Sequence, residues 1–441
     1  MVYRILIFAF LYSVLVFPAR AQDFDSLVQM TWENNQQLRA EHFRLKFAEA
    51  TLQEAKSLYG PTAKLDALYT LANGGRDIDF PIGDLLNPVY GTLNQLTASK
   101  SFPTVDNQVI NFLPNNYLDA KIRIQQPIFY PDLKINRQLQ SKKIDLKQLE
   151  IKAFKRRLSK EIMTAYLQWQ MAGKSIDIFK DAQELLQEAL RVTQVLFKNG
   201  KALPSSVSRI KSEMAKIDAQ LINAQNNEQN AWELVAFLLN NPDITREQVM
   251  IELPELPVDT PQEGRREELA QMDVGLEMRH LAVKKENQFY YPKLGAQLDL
   301  GSQDYKFKWK PYALLGIHLE WNIYDHRRHR SKKNQALALI EAQKKEKVFV
   351  QSQFDLQSSM AKNNLKSANL QALTYRPRIV SAEKTYQEVL KKYRLGVTNY
   401  LELMDARTQV TQNNIEYVIA RYQAWIKWAE LQYVTASYPI N

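Results

Sequence analysis

Cysteine is absent from all 441 residues of the chain. No disulfide can therefore cross-link the fold, and no thiol follows the amino-terminal apolar segment to carry a lipid anchor. The stability of this protein must come from packing or from assembly with other chains.

Glycine and proline are also scarce, at 13 and 17 residues, so the chain is ordered rather than low in complexity. Beyond the amino terminus no apolar run reaches about 18 residues, which excludes a transmembrane helix there. What the chain does contain is abundant Gln, Lys, Glu, Ala and Leu. That composition is typical of long, solvent-exposed helices.

Motifs that would carry enzyme chemistry are missing. The sequence has no glycine-rich phosphate loop, no H-E-x-x-H zinc motif and no G-x-S-x-G nucleophile elbow. An exported hydrolase is therefore disfavoured, and we expect a protein that is not an enzyme and needs no cofactor.

The formal net charge is +10, which raises the possibility of nucleic-acid binding. The lysines and arginines are spread along helical segments, however, as on an ordinary solvated surface. We expect no nucleic-acid partner.

The amino terminus has the pattern of a secretory signal. Arg4 precedes an apolar stretch at 5–17, and Ala19 and Ala21 form an A-x-A cleavage site. The alternative, a membrane anchor, is disfavoured because the apolar stretch is short. We predict a signal peptide at 1–21 and an exported mature chain.

The remainder of the chain is a duplication. "LFKNGKALPSSVSRI" around Gly200 corresponds to "KYRLGVTNYLELMDA" around Gly396, and Trp232 and Trp428 are the same distance apart as the two glycines. We predict a first repeat at 22–240 and a second at 264–441. A proline-rich linker at 241–263 joins them.

Four segments alternate between apolar and polar residues with period two: 61–72, 117–128, 292–300 and 312–323. Their length suits tilted membrane strands, although half-buried strands of a soluble sheet would alternate in the same way. Lys121 on a polar face favours a water-filled lumen. Because four strands cannot close a barrel and open edges are not tolerated in lipid, several copies must contribute to one barrel.

The run "DHRRHR" at 325–330 directly follows the last strand. Asp325, His326 and His329 could be read as a metal cluster, but the intervening arginines would repel a cation. We expect a basic patch below the barrel and no metal.

Long helices fill the spaces between the strand pairs. The stretch 132–199 contains no proline, and about 68 helical residues would span roughly 100 Å. Its return helix, 205–240, begins with a serine that could cap it.

In the second repeat we expect helices at 327–395, kinked at Pro377, and at 399–436. Each glycine marks the reversal of a helical hairpin, since glycine adopts the left-handed cap conformation cheaply. The stretch 74–116 is expected to be a long polar connector between the first two strands.

The signal peptide, the duplicated helix–strand–strand–helix–helix order and the two glycine-broken hairpins together resemble the TolC-type outer-membrane factor family, or outer membrane efflux proteins. The best local match is "YRLGVTNYLELMDA". The resemblance implies a mainly α protein with a membrane β-barrel portion. It also implies a homotrimer in which four strands from each chain would build a 12-stranded barrel, and the helices would form an α-barrel below it.

The same resemblance implies an exit channel of a tripartite efflux or type I secretion system, located in the outer membrane lipid and extending into the periplasm. A periplasmic adaptor and an inner-membrane pump would open its tip. The 241–263 linker would form an equatorial belt, and the connectors 74–116 and 301–310 would face outside. The alternative function is an exported coiled-coil structural protein or adhesin of the envelope.

The chain departs from the family pattern at three points. "DHRRHR" replaces the usual glycines after the last strand, Thr398 stands where an arginine often does, and Ser206 stands in place of an acid.

The second hairpin tip carries acids that the first lacks. Glu402 and Asp405 are neighbours on one helix face, so three-fold symmetry would gather six carboxylates near the axis and attract cations. We hypothesise that this tip is a cation-selective constriction held shut by Tyr393 with Ser206 or Arg209; the alternative is a solvated acidic face. The expected gate residues are Ser205, Ser206, Arg209, Tyr393, Thr398, Glu402 and Asp405, with Gly200 and Gly396 at the turns.

Overall fold

A computed structural model describes residues 23–113, 115–257, 262–305 and 307–440. The predicted signal peptide, 1–21, lies outside the described residues. The protein is mainly helical, with 69% of its residues in helices and a small sheet, as the sequence analysis predicted. The chain divides into two compact units. One comprises the residues up to Phe47, Ile144–Leu276 and those from Glu341 onward, and the other comprises Ala48–Lys143 and Glu277–Ile340.

A four-stranded antiparallel sheet dominates the second unit. Its strands stand in the order β1-β4-β5-β6, so β1 and β6 are its two edges. They are β1 Thr62–Thr70, β4 Tyr117–Phe129, β5 Lys293–Asp304 and β6 Pro311–Glu320.

The two faces of this sheet differ in chemistry. Ala63, Ile124, Leu298 and Leu315 stand in one row across the four strands on the apolar face. On the other face the Arg123 guanidinium donates to both carboxylate oxygens of Asp299, at 2.9 and 2.8 Å. The apolar side chains of β1 and β6 are exposed, including Leu65, Leu315 and Ile317. A sheet in water buries such a face, whereas a membrane sheet presents it to lipid.

The connection between β1 and β4 is folded rather than a plain loop, contrary to the expectation for 74–116. It contains β2 (Asp77–Phe80), α3 (Ile82–Leu96) and β3 (Gln108–Asn111), with β2 paired to β3. Two asparagine side chains of α3 close it: Asn87 exchanges two hydrogen bonds with the backbone of Val105 and Asn94 two with Phe102, all of 2.8 to 3.0 Å. These long-range amide contacts leave no periodic signal in the sequence, which explains the wrong prediction.

The long helices form two hairpins, α4–α5 and α7–α8. The helices are α1 Phe24–Asn34, α2 Gln36–Ser57, α4 Pro131–Lys198, α5 Pro204–Leu239, α6 Glu267–Asn287, α7 Arg328–Arg394 and α8 Tyr400–Val434. The serine cap expected for α5 is wrong, because Pro204 itself is the first helical residue and Leu203 precedes it without a side-chain cap bond. Proline suits that position, where its missing N–H has no intrahelical partner to lose. The helix α7 is unbroken at Pro377.

Two large apolar clusters stabilise the first unit. One gathers residues of α1, α4, α5 and α8 around Tyr166 and Trp425. The other lies toward the hairpin tips, where α4, α5, α7 and α8 pack around Leu186, Ile210 and Leu403. Beside the first cluster, buried Arg156 forms a bidentate ion pair with Glu267 at 2.8 and 2.7 Å, and it also donates to the carbonyl of Tyr438 at 2.9 Å.

In the described part of the chain, no helix carries an apolar stretch long enough to cross a membrane. Among those same residues, no cluster of three or more His, Asp or Glu side chains is arranged to hold a metal ion.

Candidate functional site at the hairpin tips

The two hairpin turns share one geometry. Gly200 and Gly396 have φ of +71° and +73°. In each turn the glycine N–H donates to the carbonyl three residues earlier, at 3.0 Å for Gly200 and 2.9 Å for Gly396, and the next N–H donates to the carbonyl five residues earlier, at 2.8 and 3.0 Å. This pair of bonds is the Schellman motif, which satisfies the last carbonyls of a helix and requires a left-handed residue.

The helix that follows each turn begins differently. In the second tip Asn399 caps α8, and its side-chain oxygen accepts from the N–H of Glu402 at 3.0 Å. The hydroxyl of Thr398 donates to the Glu402 carboxylate. Both the backbone and the side chain of Glu402 are thus fixed in the first turn of α8, where the helix dipole favours a negative charge.

The two acids of the second tip face away from the apolar cluster. Glu402 and Asp405 are exposed, while Leu403, Met404 and Ala406 between and beside them are buried. Asp405 accepts from the side-chain amide of Gln409 at 2.9 Å. Within the described residues no ion pair involves either acid, so both charges are open to solvent in the single chain.

Tyr393 has a different partner from those hypothesised in the sequence analysis. Its side chain is 3% exposed, and its hydroxyl lies 2.7 Å from that of Thr193 in α4. Since the Thr193 hydroxyl donates to the carbonyl of Ala189 at 2.8 Å, Tyr393 is the donor of the shared bond. Ser206 and Arg209 lie on α5, whereas this face of α7 packs on α4.

The remaining residues of the first tip lie at its surface. Ser205 and Arg209 are exposed, and Ser206 is half-buried with its N–H donating to the carbonyl of Leu203 at 3.0 Å. They are near the start of α5, as the acids are near the start of α8.

Arg407 was not predicted from the sequence. This arginine is 2% exposed, its closest acid is Glu213 of α5 at 3.5 Å, and its Nε has no hydrogen-bond partner among the described residues. Burial lowers the pKa of Arg407 and raises the pKa of the neighbouring Tyr386 and Tyr400. The sequence did contain a signal for the burial of Arg407, because Leu403, Arg407 and Val410 share the apolar stripe of α8.

A second overlooked group is Glu188 of α4. It accepts two hydrogen bonds from Arg191, at 2.8 and 2.9 Å, and one from Arg394 of α7 at 2.8 Å. The bonds from Arg191 outweigh desolvation and, together with the bond from Arg394, lower the pKa of Glu188 to about 2. Near the tips, three polar contacts therefore join the two hairpins: Glu188–Arg394, Thr193–Tyr393 and Glu213–Arg407.

Comparison with known proteins identifies the family. The sequence profile described as outer membrane efflux protein matches residues 27–241 and 263–437. No curated protein sequence matches the chain.

Several solved structures share the fold. VceC of Vibrio cholerae, an outer membrane protein, is 15% identical with a TM-score of 0.73, over 94% of this chain and 96% of VceC. The CmeC outer membrane channel of Campylobacter jejuni is 12% identical with a TM-score of 0.73, over 94% and 85%. The open state of the MtrE outer membrane channel of Neisseria gonorrhoeae is 11% identical with a TM-score of 0.73, over 94% and 89%.

At these identities the structural likeness concerns the fold, and the family rests on the sequence profile. That profile covers most of the chain, and the mainly helical fold with its small sheet agrees with it. The chain belongs to the outer membrane efflux protein family and is an efflux channel of the outer membrane that extends into the periplasm.

Proposed function

We propose that this channel is a homotrimer and serves as the exit duct of a tripartite efflux or type I secretion system. The observation that carries the proposal is the four-stranded sheet with two unpaired edges, β1 and β6, and an exposed apolar face. Three copies would join β6 of one chain to β1 of the next and close a barrel, which removes every edge. A periplasmic adaptor and an inner-membrane pump would open its far end.

We propose further that the chain is a duplication with halves at 22–240 and 264–441. The two-part match of the family profile supports this division. The intervening segment supports the proposed equatorial linker, because it lies along α8: Arg421 donates to the carbonyl of Leu253 at 3.1 Å, and Tyr417 donates to Glu255 at 2.6 Å.

The hairpin tips are the proposed gate. In this proposal Glu402 and Asp405 line a cation-selective constriction formed by the second hairpin. Their exposure and the absence of an ion pair to either acid in the described residues support the proposal. Thr398, Ser205, Ser206 and Arg209 would border the constriction, and Tyr393 would act from inside, by holding α7 against α4 through Thr193.

Single-channel conductance in planar lipid bilayers tests both the proposed exit duct and the proposed gate. A cation-selective conductance carried by trimers is the expected result for the proposed exit duct. The Glu402→Gln, Asp405→Asn double variant is expected to lose cation selectivity and block by multivalent cations. Asp218→Asn, an exposed acid of α5, is the matched control. If the double variant has the same selectivity as wild type, Glu402 and Asp405 do not line the gate.

A further inference from the structure

The segment that joins β6 to α7 is built differently from a simple linker. The apolar alternation of β6 does not end with the strand, since Leu315, Ile317, Leu319, Trp321 and Ile323 are all exposed, at 56 to 80%. These residues fall at every second position, so they extend one apolar band. Tyr324 follows, also exposed. Trp and Tyr at the end of a lipid-facing band are typical of the membrane–water interface.

Positive charge begins immediately beyond this band. Residues 326–333 are here called the basic segment. Seven of its eight residues have basic side chains, namely His326, Arg327, Arg328, His329, Arg330, Lys332 and Lys333.

Within the part of the chain that the structure describes, the arginines and lysines of the basic segment form no ion pair. Arg327, Arg328, Arg330 and Lys332 are exposed, and no ion pair within the described residues involves any of them. The adjacent acid, Asp325, is already occupied, because its two carboxylate oxygens accept from the backbone N–H and from Nδ1 of His329, each at 2.8 Å. The charge of the segment is therefore available to an anion from outside the chain.

The backbone of the basic segment is strained at two successive residues. His326 and Arg327 have φ of 55° and 66°, two successive left-handed residues, a conformation that glycine adopts without penalty and other residues do not. Glycine at these two positions would remove the strain. Strain retained against such an easy remedy points to a role for the side chains.

The start of α7 is also held in place. His329 is stacked on Phe289, with ring centroids 4.1 Å apart, and its Nε2 lies 2.8 Å from the hydroxyl of Tyr290. The cations thus project from a fixed support. They also stand at the amino-terminal end of a helix, where the helix dipole disfavours positive charge and an anion offsets it.

We propose that the basic segment binds the phosphate headgroups of anionic phospholipids in the periplasmic leaflet of the outer membrane. The basic segment directly follows the apolar band. Because a lipid-facing band ends at the depth of the headgroups, the anion that the segment meets there is a lipid phosphate. Guanidinium groups hold phosphate through paired hydrogen bonds. The proposal depends on the location of the protein in the outer membrane and not on the proposed adaptor, pump or gate.

Native mass spectrometry of the purified full-length protein tests the proposal. The probes are phosphatidylglycerol and phosphatidylcholine with the same acyl chains. Wild type is expected to retain phosphatidylglycerol preferentially. The Arg327→Gln, Arg328→Gln, Arg330→Gln variant is expected to lose roughly a hundredfold of that preference, from the usual contribution of basic residues near an anionic surface.

The matched control removes three exposed cations farther along α7, in Lys366→Gln, Lys391→Gln, Lys392→Gln. It should retain phosphatidylglycerol like wild type. Equal retention in the two triple variants would overturn the proposal. So would a triple arginine variant that keeps the lipid but loses its oligomer on heated gels, since the cations would then pair with a second copy of the chain.

Two further measurements do not depend on the triple variant folding. Raising salt to 0.5 M should release phosphatidylglycerol from wild type, because screening weakens exposed charge contacts; retention at that salt would contradict a headgroup site. The His326→Gly, Arg327→Gly variant should have a higher Tm, since the strain is relieved, while its lipid preference falls. A higher Tm with unchanged preference would refute the binding role.

Discussion

At the scale of single residues, the stability of the first unit depends on the buried ion pair between Arg156 and Glu267. Removing one member of a buried ion pair leaves the other charge uncompensated, which costs about 3–5 kcal/mol, whereas replacing both by apolar residues is often neutral. Arg156→Met should therefore lower the Tm strongly, and adding Glu267→Leu should restore most of it.

The neighbouring Arg157 provides the control. It is exposed and lies 3.7 Å from Glu161, so Arg157→Met should change the unfolding free energy by no more than about 0.5 kcal/mol. Thermal unfolding of the full-length protein, followed by circular dichroism, measures all four forms. A double variant as unstable as Arg156→Met would mean that the lost packing, and not the unpaired charge, sets the cost.

Glu188 should make the hairpin tips sensitive to acid. Its pKa falls from 4.5 to about 2 in the folded protein, so the ionised form is favoured by folding. The stability that it contributes is present above pH 4.5 and is lost as the pH falls from 4.5 toward 2. Glu188→Gln should lower the Tm at neutral pH and flatten the decline of Tm over this pH range.

Glu184, one turn earlier on α4 and exposed, serves as the comparison for this pH series. Glu184→Gln should keep the acid-dependent decline of wild type. A decline of equal slope in the Glu188 variant would assign the acid sensitivity to other carboxylates.

At the scale of elements, the two glycine turns determine where the long helices reverse. At Gly200 an added Cβ would meet no atom within 4 Å. Replacing Gly200 by alanine therefore tests only the cost of the left-handed backbone conformation. Gly200→Ala and Gly396→Ala should each cost about 1–2 kcal/mol through the left-handed conformation. Gly173, in the interior of α4, has equal space around it, and Gly173→Ala should stabilise by about 0.5–1 kcal/mol.

Hydrogen exchange of the amides next to each turn measures this effect locally. Faster exchange at the substituted tip, with unchanged exchange at the other tip, is the expected pattern. Similar stabilities for Gly200→Ala and Gly173→Ala would show that the turn relaxes out of the left-handed conformation.

The sequence predicted the features that depend on neighbours along the chain. Period-two alternation located the strands to within a few residues, and the glycines located both turns, because these signals reside in local backbone preferences. Contacts between helices were not accessible. The sequence led to the hypothesis that Tyr393 contacts Ser206 or Arg209 of α5, whereas its partner in the structure is Thr193, which is set by the rotation of α4 against α7. The same holds for the hydrogen bonds of the Asn87 and Asn94 side chains and for the burial of Arg407, which depend on the surfaces that meet in three dimensions.

At the scale of the whole molecule, the proposed trimer makes a prediction about the sheet edges. If β6 of one chain pairs antiparallel with β1 of the next, the start of β1 lies beside the end of β6. The absence of native cysteine allows a direct test. Pairs that combine one cysteine at 62–66 with one at 316–320 should cross-link under mild oxidation into a ladder that ends at a trimer.

Each single-cysteine variant is the control and should yield no such ladder. A pair that closes within one chain, seen as a faster-migrating monomer without higher bands, would contradict the assembly.

The folded insertion between β1 and β4 has a practical consequence as well. Thr70 and Tyr117 are direct partners in the sheet register, and Asn115 accepts from the N–H of Ala72 at 3.2 Å, so the chain leaves and re-enters the sheet at nearly one point. The insertion is closed by its own hydrogen bonds, which Asn87 and Asn94 form with the backbone of Val105 and Phe102. It is therefore a cassette, which a short hairpin turn could replace without a change of register. By the same reasoning, a foreign epitope or binding domain could be installed there for display.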